Sequence, residues 1–210
     1  DTATLTVNHA DAASVALDPA TETIEAGEAV TYTAVATDSY GNSWGATAAY
    51  TITPGAGGGW TDNIYTSAIS GTWTVTGTVD GVDGVATLTV NPGGLDYVII
   101  RTASDGGGEV AGNHVMATDE TWTLWAAGYD AGDNYIGDVS VDWSVTGDSI
   151  GTVVPSTDSI STTLYATAEG TGRVSAEHAT AMDDETGDIA VSAGAPSDTY
   201  IYLPLVVRGN

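Results

Sequence analysis

The chain has 210 residues, and its 28 Asp and Glu face only three Arg and no Lys, which gives a formal net charge of −25. Nucleic acid and anionic membranes bind through Lys- and Arg-rich surfaces, so this charge excludes both as partners. The lack of Cys excludes a disulfide framework, a thiolate metal site and a Cys nucleophile. No apolar run reaches the roughly 18 residues of a membrane span.

The remaining composition is typical of β-strands joined by tight turns. Six Trp and ten Tyr accompany no Phe, Thr, Val, Ala and Gly are abundant, and no long window has a helical apolar period. The sequence therefore predicts an all-β protein. Its acidity implies repulsion between closely packed chains, which Ca²⁺ or Mg²⁺ would relieve; the alternative is that the acidity serves only solubility.

The first predicted element is a strand within residues 1–9. Its letters Ala-Thr-Leu-Thr-Val-Asn, at 3–8, recur without change at 86–91, where they close the first repeat and lead into a linker. By analogy, 3–8 is the closing strand of a sandwich whose other strands lie outside this chain. Either the chain is part of a longer array, or this strand completes a domain in a neighbouring molecule.

Period-2 alternation between turn residues predicts six further strands in each half of the chain. Short strands with Gly, Asp and Asn turns between them favour sandwiches over an up-and-down barrel. The linker Asn91–Gly94 separates a domain at 10–92 from a domain at 93–194. The strands are predicted near 13–18, 29–37, 47–53, 63–68, 71–79 and 84–90, and near 95–101, 120–129, 138–146, 159–167, 171–177 and 187–192.

The two halves form an internal repeat. Glu28–Gly45 aligns without a gap with Glu120–Gly137, sharing Glu, Thr, Ala, Asp, Asn and Gly at identical spacing. Further on, Gly71–Val75 parallels Gly170–Val174, and Leu88 and Val90 match Ile189 and Val191.

At the turn Asp38–Asn42, which reads Asp-Ser-Tyr-Gly-Asn, and at its second copy Asp130–Asn134, the sequence resembles the bacterial immunoglobulin-like domains of adhesins, invasins and cell-surface arrays. The resemblance implies two tandem immunoglobulin-like β-sandwich domains with extra strands at both ends. It also implies a secreted, cell-surface protein whose modules serve mostly as spacers. Asp133 stands where the first turn has Gly41, so the second loop is expected to have a different shape.

The segment 195–210 is predicted to be a strand-like tail. Burying four aliphatic side chains on one face of such a strand is worth roughly 6–12 kcal/mol, and leaving them in water is an aggregation hazard. Pro204 restricts the strand to a sheet edge. We therefore expect the two end segments to join subunits by strand donation, unless each folds back on its own domain. The residues predicted to drive polymerisation are Leu5, Val7, Ile201, Leu203, Leu205 and Val207.

Loop carboxylates and amides supply oxygen ligands for Ca²⁺. The alternative is that these residues form Asx turns, because Asp and Asn favour such positions and no EF-hand spacing is present. The candidate ligands are Asp38, Asn42, Asp130, Asp133 and Asn134, and a second acidic loop holds Asp183, Asp184 and Asp188.

The sequence also holds candidate residues for two further kinds of site. Trp44 and Trp60 lie in Gly-rich stretches and are candidate sugar-stacking platforms, whereas Trp73, Trp122 and Trp143 are expected in the core. For catalysis, His9, His114 and His178 lie far apart, and no nucleophile elbow or phosphate loop occurs. We therefore predict a protein that is not an enzyme. Three functions stay open: a filament subunit (preferred), a spacer or stalk of a larger adhesin, and a carbohydrate-binding module that contacts surface glycans.

Overall fold

The structure is a computed structural model that describes residues 1–194, and within that range it consists of strands and loops without helices. The chain divides into two compact units. Unit 1 comprises Asp1–Tyr97 and Gly128–Gly137, and unit 2 comprises Val98–Ala127 and the described residues from Asp138 to 194. The predicted all-β fold is confirmed.

The first sandwich is formed by three sheets with strand orders β1-β4-β5, β2-β10-β9-β6 and β3-β8-β7. All pairs are antiparallel except β2 with β10, which run parallel. The strands are β1 Ala12–Asp18, β2 Thr21–Glu25, β3 Ala29–Thr31, β4 Thr33–Asp38, β5 Ser43–Ala46, β6 Ala49–Ile52, β7 Gly59–Thr61, β8 Ile64–Thr66, β9 Gly71–Val79 and β10 Val82–Asn91.

The core of the first sandwich follows from alternation along these strands. In β10, Ala86, Leu88 and Val90 are buried while the Thr side chains between them are not, because successive side chains point to opposite faces. Tyr32, Tyr65 and other buried residues complete the core.

The second sandwich is formed by two sheets, with orders β11-β13-β17-β16 and β12-β20-β18-β15. β14 joins β13, and β19 joins β18. Its core includes Trp143, Leu124 and Ile189. The strands are β11 Leu95–Arg101, β12 His114–Ala117, β13 Thr121–Asp130, β14 Tyr135–Asp138, β15 Asp142–Gly147, β16 Gly151–Val154, β17 Ser161–Ala166, β18 Gly170–Glu177, β19 Asp184–Glu185 and β20 Ile189–Ser192.

The strand pairing reproduces the sequence repeat. In the first sandwich Leu88 of β10 lies opposite Glu22 of β2, and in the second Ile189 of β20 lies opposite His114 of β12, again in parallel. Glu22 and His114 are 92 positions apart, which is the offset of the repeat.

The structure corrects several predictions. It adds the short strands β2, β5, β7, β12, β14, β16 and β19, which the alternation did not indicate. The predicted N-terminal strand does not form in this chain: residues 1–10 hold no strand, and the exposed fractions of Leu5 and Val7 are 86% and 82%. A strand needs a partner ladder and a core to cover one face, and residues 3–8 form no ladder with either sandwich. It therefore does not fold back as an edge strand. The predicted tail 195–210, with Ile201, Leu203, Leu205 and Val207, lies outside the described residues.

Candidate functional site

The turn after β4 is organised by one carboxylate. Asp38 Oδ1 accepts hydrogen bonds from the backbone N–H groups of Tyr40 and Asn42, both at 2.9 Å. The Asp38 N–H donates to the Asn42 carbonyl at 3.0 Å, and the Gly41 N–H donates to the Asp38 carbonyl at 3.1 Å. Gly41 takes a φ of 84°, so the chain reverses through one left-handed residue.

The turn after β13 has the same set of bonds. Asp130 Oδ1 accepts from the N–H groups of Gly132 at 2.9 Å and Asn134 at 2.8 Å, and the Asp130 N–H donates to the Asn134 carbonyl at 3.0 Å. Asp133 takes a φ of 63° in the position of the first turn's glycine. The expectation of a differently shaped second loop is therefore wrong, because Asp tolerates the left-handed region.

The second oxygen of each aspartate binds the chain that enters the sandwich. Asp38 Oδ2 accepts from the Ala10 N–H at 3.0 Å, and Asp130 Oδ2 accepts from the Gly93 N–H at 2.7 Å. Ala10 and Gly93 each stand two residues after the end of the repeated hexapeptide Ala-Thr-Leu-Thr-Val-Asn. We call this bond the linker latch.

Both carboxylates are held in the charged form. The hydrogen bond from the Asn42 side chain, followed by those from backbone N–H groups, keeps the pKa of Asp38 well below its usual range. Burial alone would raise the pKa of Asp130, but the bonds from Gly93 and Asn134 outweigh burial, so its pKa is lowered. Above about pH 4 both groups are therefore anionic acceptors.

Asn134 has a further role within unit 1. Its side-chain Oδ1 accepts from the Ser70 N–H at 2.8 Å, and its Nδ2 donates to the Ala68 carbonyl at 2.9 Å. The Asn134 residue is 5% exposed. Asn42, its counterpart in the repeat, is exposed. We call the pair of bonds made by Asn134 the loop clamp.

The structure brings the predicted metal ligands together as two separate groups, one in each turn. Their carboxylates point at hydrogen-bond donors: Asp38 and Asp130 at N–H groups, and Asp133 at the Tyr97 hydroxyl. Within residues 1–194 no three His, Asp or Glu side chains are grouped as metal ligands. Calcium binding at these turns stays a prediction.

The second acidic loop is also committed to internal bonds. Its carboxylates accept from three separate donors, the His178 N–H, the Ile100 N–H and the Arg173 side chain, at Asp183, Asp184 and Asp188 respectively.

Trp60 is not the exposed platform that the sequence suggested. It lies on β7, stacks on Tyr50 with ring centroids 5.5 Å apart, and contacts the rings of Tyr32 and Tyr65. It packs against the core because the Gly-rich stretch folds into a hairpin over the sandwich. Trp44 is half-buried.

The three histidines occupy unrelated places. His9 stacks on Trp44 with ring centroids 3.5 Å apart, His114 stacks on Trp122 at 4.1 Å, and His178 Nδ1 accepts from the Ala181 N–H. Two of them therefore serve as flat packing surfaces.

The two β-sandwiches, with their short and mainly antiparallel strands, have the fold of immunoglobulin-like domains. The structure is similar to that of the Escherichia coli adhesin FdeC, with a TM-score of 0.50 and 24% identity over 91% of this chain and 67% of that chain. Domains 1–6 of the surface layer protein SbsC give a TM-score of 0.39 at 18% identity, over 90% of this chain and 29% of that one. The adhesin InvE of Yersinia pseudotuberculosis gives 0.31 at 17%, over 86% and 58%.

The chain thus spans less than two thirds of SbsC and InvE. No protein-family model matches the chain, and neither does any curated protein. The predicted resemblance to bacterial immunoglobulin-like domains is confirmed for the fold. In residues 1–194 there is also no helix long and apolar enough to cross a membrane.

Proposed function

We propose that this protein is a secreted, non-catalytic structural module of a cell-surface array, in which residues 3–8 close a neighbouring immunoglobulin-like sandwich. One observation carries the proposal. The hexapeptide at 86–91 lies in the interior of a sheet, between β2 and β9, whereas its copy at 3–8 is unpaired and exposed.

The side chains show what the copy lacks. Leu88 and Val90 are 0% and 3% exposed, while Leu5 and Val7, in the same places of the hexapeptide, are 86% and 82% exposed. Burying one Leu and one Val is worth about 3–6 kcal/mol. A sandwich that lacks only its closing strand would therefore bind this segment with a substantial gain.

The latch supports the same role. Ala10 meets Asp38 as Gly93 meets Asp130, and Gly93 follows a sandwich that has just been closed by 86–91. The N-terminal segment is therefore followed by the same linker chemistry that follows a completed sandwich.

A strand-donated filament is the second candidate, favoured by the exposure of Leu5 and Val7. In residues 1–194 the closing positions of both sandwiches are already filled, by β10 and β20. Donation between copies would need β10 to be displaced, or would use the C-terminal segment with Ile201, Leu203, Leu205 and Val207. The geometry of the described residues thus favours an array of domains within one longer chain over a homopolymer.

The formal charge of −25 fits a surface protein bathed in divalent cations. Ca²⁺ would reduce repulsion between neighbouring acidic domains. Surface glycans are a further candidate partner, supported by an open cleft of about 700 Å³ beside Tyr32 and Tyr50. Binding of the whole chain to a glycan array tests this candidate, and the absence of binding to every glycan on the array rejects it.

The closing-strand role is tested by fusing a copy of residues 10–85 directly ahead of Ala3, so that 3–8 follows it as the missing strand. We expect the added segment to fold as a third sandwich, with slow amide exchange at Leu5 and Val7. Leu5→Asp should unfold that sandwich, because it buries an unpaired charge. Thr4→Asp is the matched control, since its counterpart Thr87 is exposed. An added segment that stays unfolded would refute the proposal.

Electron microscopy separates the two candidates. Filaments formed by the 210-residue chain in Ca²⁺, and lost in a version ending at Asp198, would establish polymerisation through the tail. Discrete particles in both samples would reject the filament.

A further inference from the structure

We propose that the turn Asp38–Asn42 is a docking site for the backbone of one loop of the preceding immunoglobulin-like sandwich, the loop equivalent to 67–70. This inference rests on the proposed closing-strand role of residues 3–8. It adds a second contact, at residues that the closing strand does not touch.

The second turn holds two segments of the chain at once. Within unit 1, Asp130 latches the linker through Gly93, and Asn134 clamps the loop 67–70 through Ser70 and Ala68. The loop so clamped joins β8 to β9, in the sandwich that 86–91 closes. One turn therefore grips both the linker and a loop of the sandwich that precedes it in the chain.

The first turn has every element of this arrangement except the loop. Asp38 latches Ala10 and fixes Asn42 through its side-chain amide, with Asn42 Nδ2 at 3.2 Å and 2.9 Å from the two carboxylate oxygens. Asn134 Nδ2 has the same relation to Asp130, at 3.2 Å and 3.0 Å. Asn42 is therefore held in the pose of the clamping residue, while its outer side is exposed.

The occupant follows from the chemistry of the clamp. Asn134 Oδ1 takes a backbone N–H and Nδ2 gives a hydrogen bond to a backbone carbonyl two residues earlier. This pair of hydrogen bonds recognises only main-chain atoms, so it depends little on which side chains the loop carries. The loop of a closely similar sandwich, held in place by a closing strand and a short linker, presents that geometry to Asn42.

The surroundings of the turn allow the loop to approach. Tyr40 takes the place of Gly132, where an added Cβ would lie 3.2 Å from Asn134 Nδ2, a tight contact within the turn, and 3.5 Å from the Ala68 carbonyl oxygen, an ordinary one. Tyr40 is 83% exposed, so its ring is free to lie against an incoming loop. The bond between Tyr97 and Asp133 has no counterpart, because Gly41 occupies that place in the first turn.

The test uses the fusion of residues 10–85 ahead of Ala3, with only the added segment labelled with ¹⁵N by ligation. We expect the amide of its Ser70 copy to exchange slowly. Asn42→Ala, made only in the original sandwich and not in the added copy, should accelerate that exchange about tenfold, as the loss of one such hydrogen bond predicts. The matched comparison is Asn134→Ala, which should accelerate exchange at the original Ser70 by a similar factor. Asn42→Ala in the natural chain, checked by near-ultraviolet circular dichroism, shows whether the turn itself stays folded.

The outcomes separate the two proposals. A folded added sandwich whose Ser70 copy exchanges at one rate with and without Asn42→Ala overturns the docking site and leaves the closing-strand role intact. An added segment that does not fold overturns both.

Discussion

Asp130→Asn separates the two tasks of this carboxylate. In the folded protein Oδ1 faces the N–H groups of Gly132 and Asn134, and Oδ2 faces the N–H of Gly93 and the side-chain NH₂ of Asn134. An amide has one oxygen, which satisfies more donors in the Oδ1 place. Its NH₂ group then points at the Gly93 N–H and at the Asn134 side-chain NH₂, donor against donor. The turn should survive and the linker latch should be lost.

The magnitude follows from the bond that is lost. A hydrogen bond to a charged group contributes about 1.5–3 kcal/mol net, and Asp130 is only 3% exposed, so water compensates little. A loss of about 2 kcal/mol in a unit of this size lowers Tm by about 8–16 °C. The pKa of Asp130 is lowered in the folded state. Its contribution is therefore present above the unfolded pKa of about 3.9 and fades as pH falls towards the folded pKa.

Thermal unfolding followed by circular dichroism, repeated from about pH 7 down to about pH 2, measures both effects. The variant should melt earlier at neutral pH and lose less stability on acidification than the natural protein. Asp133→Asn is the matched control, because it makes the same change in the same turn at an exposed residue, and an amide oxygen there can still accept the bond from the Tyr97 hydroxyl. Equal losses in the two variants, or an unchanged acid profile in Asp130→Asn, would refute the latch.

Leu88→Ala should lower the free energy of unfolding, measured in urea, by about 2–5 kcal/mol, and Leu5→Ala should lower it by less than about 0.5 kcal/mol. Equal losses in the two variants would contradict the assignment of 3–8 as unpaired. Burial raises the pKa of Asp184 despite the hydrogen bond from the Ile100 N–H. The contribution of the protonated carboxyl to the free energy of unfolding is therefore lost as pH rises. Asp184→Asn should keep or raise Tm at pH 7, and a lower Tm would contradict this. If the turns bind Ca²⁺, a chelator should lower Tm, whereas an unchanged melting curve would reject a structural ion.

The sequence predicted the repeated turn well, because the residues that form the turn lie close together in the chain. The spacing from Asp38 to Asn42 encodes one turn whose bonds all lie within five residues, and the same spacing recurs from Asp130 to Asn134. The substitution of Asp133 for glycine misled the prediction, because only the backbone φ matters at that place. Asp satisfies it at a modest energetic cost.

Other features depend on contacts that no local pattern contains. β7 has three residues and β16 has four, too few for alternation to stand out. Trp60 is half-buried against the rings of Tyr32, Tyr50 and Tyr65, which come from separate parts of the chain. The linker latch joins residues 28 positions apart at Asp38 and 37 apart at Asp130. A usable signal was nevertheless present, since the two identical hexapeptides each precede one of these turns.

The two linkers reach the latch by different means. Between the hexapeptide and the latched N–H stands a single residue, His9 in the first linker and Pro92 in the second. Pro92 restricts the backbone through its ring, whereas His9 lies flat on Trp44 with an interplanar angle of 9°. The residue that matches Trp44 in the repeat is Ile136, which offers no aromatic face. The first linker is thus restrained by ring stacking and the second by a proline, while in both an aspartate carboxylate accepts the bond from the linker N–H. The shared requirement is an ordered entry into the sandwich, which is what a closed neighbour ahead of Ala10 would impose.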